Sequence, residues 1–352
     1  MLRYLARRIR YSLLVLWGVV TLVFFLFNVL PGDPARLVMG QRTNSATTEN
    51  VRKEMNLDKP MLTRYLLYLD DISPIGVHGR DAESTEKYHY TALFPISKKK
   101  FVAIKWPYLG RSYRTKRLVN NVLAEALPGT VILAIAAMAL ATVVGILLGV
   151  IAALKKGTWM DTSAVAASVA GISMPSFFAG LIIAWLLGYL WHGYTGLNMT
   201  GSLWEYDPFT GKHLVLKNLI LPALALGIRP LAIITQLTRS ALLDVLSQDY
   251  IRTAYAKGLS KTKIVFRHAL PNALNPVITA ISGWLAELLA GAFFVEYIFG
   301  WKGVGKLTVD GLDKFDFPIV MGSVLLTAVI FIVVNLVTDM LYGWLDPRVR
   351  LY

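Results

Sequence analysis

Two charges stand near the middle of long apolar runs: Arg229, beside Pro230, and Glu287. An ionised side chain so placed faces a bundle interior or water, because lipid offers it no partner. If the two runs pack antiparallel, Arg229 and Glu287 reach similar depth, and a buried charge pair is the favoured reading. Two others stay open: Arg229 bonding carbonyls freed by Pro230, or either side chain facing water. Asn335 and Asp339, four residues apart, share one helix face and are expected to pack inward, as structure or as pathway lining.

Covalent chemistry finds little support. The chain has no cysteine, which excludes disulfides, thiolate metal sites and thiol nucleophiles. Its five histidines, His78, His89, His192, His213 and His268, show no metal-ligand spacing. The stretch GWKGVGKL, from Gly300 to Leu307, has the Gly and Gly-Lys spacing of a phosphate-binding loop. Leu307, however, stands where a Ser or Thr hydroxyl would hold magnesium, and an apolar run precedes it where a strand should. It reads as a glycine-rich turn. No catalytic residue, metal or cofactor is expected.

The segment 249–271, DYIRTAYAKGLSKTKIVFRHALP, is polar and basic between apolar runs. Its pattern predicts a helix over 249–257 ending at Gly258, which adopts the left-handed conformation without a Cβ clash. Ser260 is expected to cap a second helix, with Leu259 stapled to Ile264, and Pro271 to close the unit. The corner would present Ile251, Ala254, Tyr255 and Leu259 to a partner. Lys257, Lys261, Lys263 and Arg267 suit an anionic lipid surface as well, so the physics leaves both occupants open.

These groups need a membrane scaffold. Of 352 residues, 55% are hydrophobic and 16% charged, and the mean hydropathy is +0.52. The net charge of +14 does not indicate nucleic acid, since the basic residues cluster beside apolar runs and do not interleave with aromatics. Six runs are long enough to cross a bilayer: 13–30, 130–154, 164–190, 219–237, 276–297 and 319–344. Ser173, Pro175 and Ser176 mark a kink in the third. Arg3, Arg7, Arg8 and Arg10 place the N-terminus inside, which puts Lys155–Lys156, the 249–271 segment and the tail Arg348–Arg350 on the same side. The first run is expected to be retained as an anchor, since it lacks a small-residue cleavage site. Residues 31–119 are expected outside, with Asp33 capping a helix from Pro34, a second helix over 61–69 and an irregular stretch over 74–108.

The string Arg252-Thr253-Ala254, then Gly258, then His268-Ala269-Leu270-Pro271 after nine residues, resembles the EAA loop of ABC-importer permeases. Arg252 replaces the motif's glutamate, Thr253 its middle alanine and His268 its isoleucine. These substitutions look like the dipeptide/oligopeptide branch. So do LRYLARRI (2–9), LPGDPA (30–35), YLGRSYRT (108–115), LPGTVILA (127–134), MPSFFAGL (174–181), LTRSALLDVL (237–246), VEYIFGWKGVGKL (295–307) and NLVTDMLYGWLDPRVRL (335–351), in order along nearly the whole chain. Residues 78–105 look like an insertion, the stretch 191–217 is longer than expected, and Arg229 and Glu287 depart from the pattern.

The resemblance implies an all-α polytopic membrane protein: six transmembrane helices in a type I ABC-importer permease fold, with an external loop and helical region after the first helix. The implied divisions are 1–30, the N-terminus and first helix; 31–119, external; 120–345, the permease core with its coupling loop at 247–271; and 346–352, a cytoplasmic tail. It implies an inner-membrane subunit forming half of a peptide-import pathway. The expected partners are a second homologous permease, cytoplasmic ABC ATPase subunits that hydrolyse ATP, an external solute-binding protein and the lipid bilayer. The implied ATPase-coupling residues are Asp249, Tyr250, Ile251, Ala254, Tyr255, Gly258 and Leu259. A nickel or other small-solute permease shares these motifs; an autonomous channel, a secondary carrier or a non-transporting scaffold would need no ATPase.

Overall fold

The computed structural model describes residues 2–29, 58–79, 90–97, 100–209 and 211–345. The Asp33 cap and the basic tail lie outside the described residues. Leucine, isoleucine and alanine runs that can satisfy their own backbone hydrogen bonds form long helices. Among the described residues, four are long and apolar enough to cross a membrane. They belong to α1 (Leu2–Val29), α3 (Val119–Leu154), α6 (Lys217–Leu246) and α12 (Phe317–Leu345). The shorter α2 (Met61–Ile72) precedes α3.

The third and fifth expected spans are broken. α4 (Trp159–Ser173) and α5 (Ser176–Leu190) meet at 110° about Met174-Pro175, a fold-back far sharper than the kink expected there. Pro175 offers no N–H and disfavours helical backbone at Met174, whose ψ is 126°. α5 ends in a π-helical turn, Ala184–Leu190. Downstream, Lys261–Ala273 and Asn275–Ala290 meet at 51°. The expected fifth span, 276–297, is in fact α9 (Asn275–Gly291) followed by a separate short helix, α10 (Phe293–Ile298). Before α9 come α7 (Asp249–Ala256) and α8 (Lys261–Ala273), and after α10 comes α11 (Val304–Asp313).

α6 runs unbroken through Pro222 and Pro230 to Leu246, well beyond the expected end at 237. Polar residues such as Gln236, Arg239 and Asp244 had hidden its last turns from a hydropathy reading. Two small antiparallel sheets supplement the helices. β1 (Ile75–Gly79), β3 (Lys100–Lys105) and β2 (Tyr90–Ser97) lie side by side in that order. This corrects the irregular reading of 74–108: in β3, buried Phe101 and Ala103 alternate with exposed Ile104, the period of a half-buried strand. β4 (Trp204–Asp207) and β5 (Gly211–Leu214) form a hairpin.

The chain divides into two compact units, one of Met1–Ala6, Ala126–Lys306 and Val329–Tyr352, the other of Arg7–Glu125 and Leu307–Ala328. In the second, Phe24 of α1 packs against Tyr65 and Tyr68 of α2, and Thr21 shares a 2.7 Å hydrogen bond with Tyr65. In the first, Leu133, Ala137 and Ala141 of α3 meet Leu221, Leu226 and Ile234 of α6 and Val277 and Leu288 of α9. Gly149 of α3 sets how close α3 and α6 come, since a Cβ there would fall 2.6 Å from that of Thr238. A second cluster joins Val150 and Leu242 to Ile251, Ala254, Ile264 and Val265, and so fixes α7 and α8 to the helical core.

Candidate functional site

The Gly258 end of α7 is built as its residues predict, but the start and close of α8 are not. α7 ends with Gly258 N–H donating to Tyr255 O (2.9 Å) and Leu259 N–H to Ala254 O (3.4 Å), a Schellman closure. Gly258 has φ +76°, and a Cβ there would meet nothing within 4 Å, so backbone conformation is what asks for glycine. Ser260 precedes α8 with extended backbone but makes no side-chain cap. Pro271 does not close the unit. A π-turn over Ile264–Ala269 widens the helix ahead of it, and the helix continues through Leu270–Ala273.

The faces of α7 divide differently from the expectation. Ile251 and Ala254 are buried in the chain's own core, and Leu259 packs partly against it, so these three hold the corner and do not present themselves. The i, i+3 spacing of Ile251 and Ala254 puts these two on the inner stripe of a two-turn helix, whose partner was unreadable from sequence. Tyr250 and Tyr255 are exposed, as are Asp249 and Gly258. Asn272 donates to the Tyr250 hydroxyl at 3.0 Å, steadying that ring against α8. Arg252, where the EAA pattern has glutamate, points outward and lies 3.3 Å from Asp249, an exposed pair of small energetic value.

Arg229 and Glu287 do not pair. The guanidinium of Arg229 lies 5.6 Å from the centre of the Trp284 ring, a cation–π contact one helical turn before Glu287, and its Nε has no hydrogen-bond partner. Glu287 lies on an exposed face of α9. The two helices do pack together, but it is Trp284, not Glu287, that α9 turns toward Arg229. Asn335 and Asp339 are half-buried, and Asn335 donates to Phe331 O at 2.8 Å within its own helix.

Two polar sites were missed. Asp161 of α4 takes a forked bond from Arg239 of α6, Nε to Oδ1 at 2.5 Å and Nη2 to Oδ2 at 2.8 Å, and also accepts Gly157 N–H at 3.0 Å. The second is the glycine-rich turn. Glu296 of α10, wholly buried, accepts Thr130 Oγ1 at 2.7 Å and Lys306 N–H at 3.0 Å, and Thr130 in turn accepts Val304 N–H at 2.9 Å. A Cβ on Gly303 or Gly305 would collide with that carboxylate. The turn therefore is an anion cradle, and its anion is the chain's own glutamate. The lone acid four residues before Gly300 was the available signal.

Among the described residues this arrangement offers a rigid corner with exposed tyrosines, broken spans and a carboxylate within an apolar helix, but no assembled nucleophile, base and acceptor site. Family models agree. Residues 145–351 match the binding-protein-dependent transport system inner membrane component, and residues 1–134 match the N-terminal part of such membrane components. The chain belongs to this family. The permease is 37% identical over 367 residues to the di/tripeptide transport system permease protein DppB of Pseudomonas aeruginosa (strain UCBPP-PA14), covering 99% of each chain. It is 35% identical to the dipeptide transport system permease protein DppB of Escherichia coli (strain K12), again over 99% of each, and 34% identical to DppB of Bacillus subtilis (strain 168), over 100% of this chain and 99% of that one. Its fold resembles the inward-facing MetNI methionine ABC transporter at TM-score 0.50 and 15% identity, over 64% of this chain and 96% of that chain. The permease is thus a multi-pass membrane subunit of an ABC importer, with ATP hydrolysis in a separate subunit.

Proposed function

We propose that this permease forms half of the transmembrane pathway for di- and oligopeptides, and that the α7–α8 corner docks into a cleft of a cytoplasmic ATPase. The N- and C-termini then lie in the cytoplasm, residues 31–119 lie outside, and the core spans 120–345 with its coupling loop at 247–271. The companions are a second homologous permease completing the pathway and a solute-binding protein delivering substrate from outside. The peptide assignment is supported by relatives of that description matched along nearly their full length.

The observation that carries the docking reading is the two-sidedness of α7. Ile251 and Ala254 fasten it to the core, while Tyr250 and Tyr255 stay exposed beside Asp249 and Gly258. A corner anchored this way transmits displacement to α6 and α3 as a rigid body, which is what lets ATP-driven closure bias inward- against outward-facing states. Four basic residues, Lys257, Lys261, Lys263 and Arg267, are also exposed here. They give an anionic partner long-range attraction.

The test uses the cysteine-free chain. A cysteine replacing Tyr255 is paired with cysteines along the ATPase cleft in the assembled transporter. Crosslinking that depends on nucleotide state is expected; none in any state would refute the docking. Ala254 is unsuited to this test because it is buried.

A further inference from the structure

We propose that Glu287 is a contact point in the pathway for the ammonium group of the transported solute, so that α9 engages the free amine end of a peptide. This rests on the peptide-import reading and adds to it a residue and a chemistry.

Pro276, Thr279, Gly283 and Glu287, at helical spacings of three and four, form one exposed stripe of α9, with exposed Ile278 about a quarter turn to one side of it. Exposed stretches of the long apolar helices are of another kind. α3 exposes Val143, Leu147 and Ile151, and α12 exposes Val329, Phe331, Val333 and Val337. Large branched and aromatic side chains gain from hydrocarbon; a proline, a threonine, a glycine and a carboxylate do not, and the carboxylate costs several kcal/mol there, on the order of 3 at a span centre.

Depth strengthens the point. Arg229, twelve residues after the start of α6 at Lys217, lies roughly 18 Å along that helix at 1.5 Å per residue. Its contact with Trp284 ties the adjacent turn of α9, which bears Glu287, to that depth. Arg229 gives its charge to the indole face and makes no ion pair with Glu287, and Glu287 has no hydrogen bond or ion pair among the described residues. Thr279 donates its hydroxyl hydrogen to Asn275 O at 3.2 Å. The result is an uncompensated negative charge on a polar strip at membrane depth. In a water-filled cavity with low-dielectric walls such a charge concentrates cations, and an ammonium with three donors suits a carboxylate's two acceptor oxygens.

The experiment reads charge and water access at this face directly. A Cβ at Gly283 meets nothing within 4 Å, and the chain has no cysteine of its own, so Gly283→Cys places a single thiol one turn from Glu287. In the assembled transporter in nanodiscs, its modification by trimethylammonium-ethyl and by sulfonatoethyl methanethiosulfonate is followed by the mass of this chain, with and without ATP. The cationic reagent is expected to react faster, and adding Glu287→Gln is expected to cut the ratio of the two rates by about tenfold. Glu287→Asp should preserve the ratio, and Thr279→Cys provides a second thiol on the same face. A thiol unreactive in every nucleotide state would mean that a cation of the second permease or lipid covers Glu287, which overturns the proposal. So would a ratio indifferent to Glu287→Gln. If the cation preference holds but the transporter imports only solutes without an amine, the peptide reading and the solute-ammonium contact both fail; loss of the preference with amine import intact overturns the Glu287 contact alone.

Discussion

Glu296 and Gly303 are in such close contact that a Cβ on the glycine would stand 2.4 Å from Glu296 Oε2. The turn after α10 is folded around a carboxylate that only glycine admits, and Thr130 of α3 ties both together by donating to Glu296 and accepting from Val304. Gly303→Ala is expected to lower the thermal midpoint of the purified permease complex. Thr130→Val should cost about 1–3 kcal/mol by leaving a buried carboxylate oxygen and an amide short of a partner. A Gly303→Ala protein that melts with the parent would show that the cradle can open without loss.

α7 separates folding from coupling within two turns. Ile251→Ala is expected to destabilise the permease by about 2–5 kcal/mol, the range for emptying a packed core position. Tyr255→Ala should leave the melting profile nearly unchanged and reduce ATP-driven uptake by reconstituted vesicles. Equal uptake by Tyr255→Ala and the parent would remove Tyr255 from the docking surface.

Gly258 tests backbone against space. Because its φ is +76° and its surroundings are open, Gly258→Ala should cost about 1–2 kcal/mol through left-handed strain alone, and Gly258→Asn less. Thermal melts of the two variants compare them; a larger loss for Asn would point to crowding instead.

Exchanging the charges at 229 and 287 should restore nothing. Arg229 meets Trp284, so Trp284→Leu is expected to reproduce part of the Arg229→Gln defect in transporter assembly, measured by co-purification of the partner subunits. Recovery in the double exchange Arg229→Glu with Glu287→Arg would restore the ion-pair reading.

The forked Arg239–Asp161 pair should behave oppositely. Asp161→Asn or Arg239→Gln alone is expected to lower the melting midpoint, and reversing both charges to recover part of it. Absence of coupling in that double-mutant cycle would make the pair incidental.

What could be read without coordinates followed from local rules. Long apolar runs had to become helices, and the α7–α8 corner followed from one glycine and its neighbours, because backbone conformation at Gly258 is decided within a few residues. The missing thiols and the defective phosphate loop likewise set aside most covalent chemistry from the residue list alone.

Burial partners are not local, and there the reading stopped. Ile251 and Tyr255 look equally available in the string, yet only their positions against Leu242 and Ile264 send one inward and leave the other exposed. The 110° fold-back at Pro175 exceeded a kink because proline states that a helix must break, while the packing of the two arms sets the angle. Glu287 was recognisable as an intramembrane acid from sequence; the rotation of α9 that gives Arg229 to Trp284 instead was settled by helix packing. Sequence determined which groups the membrane would have to accommodate, because the cost of a charge in lipid depends on its type. Tertiary structure decided which of them are satisfied, because that depends on a neighbour distant in the chain and on the face turned toward it.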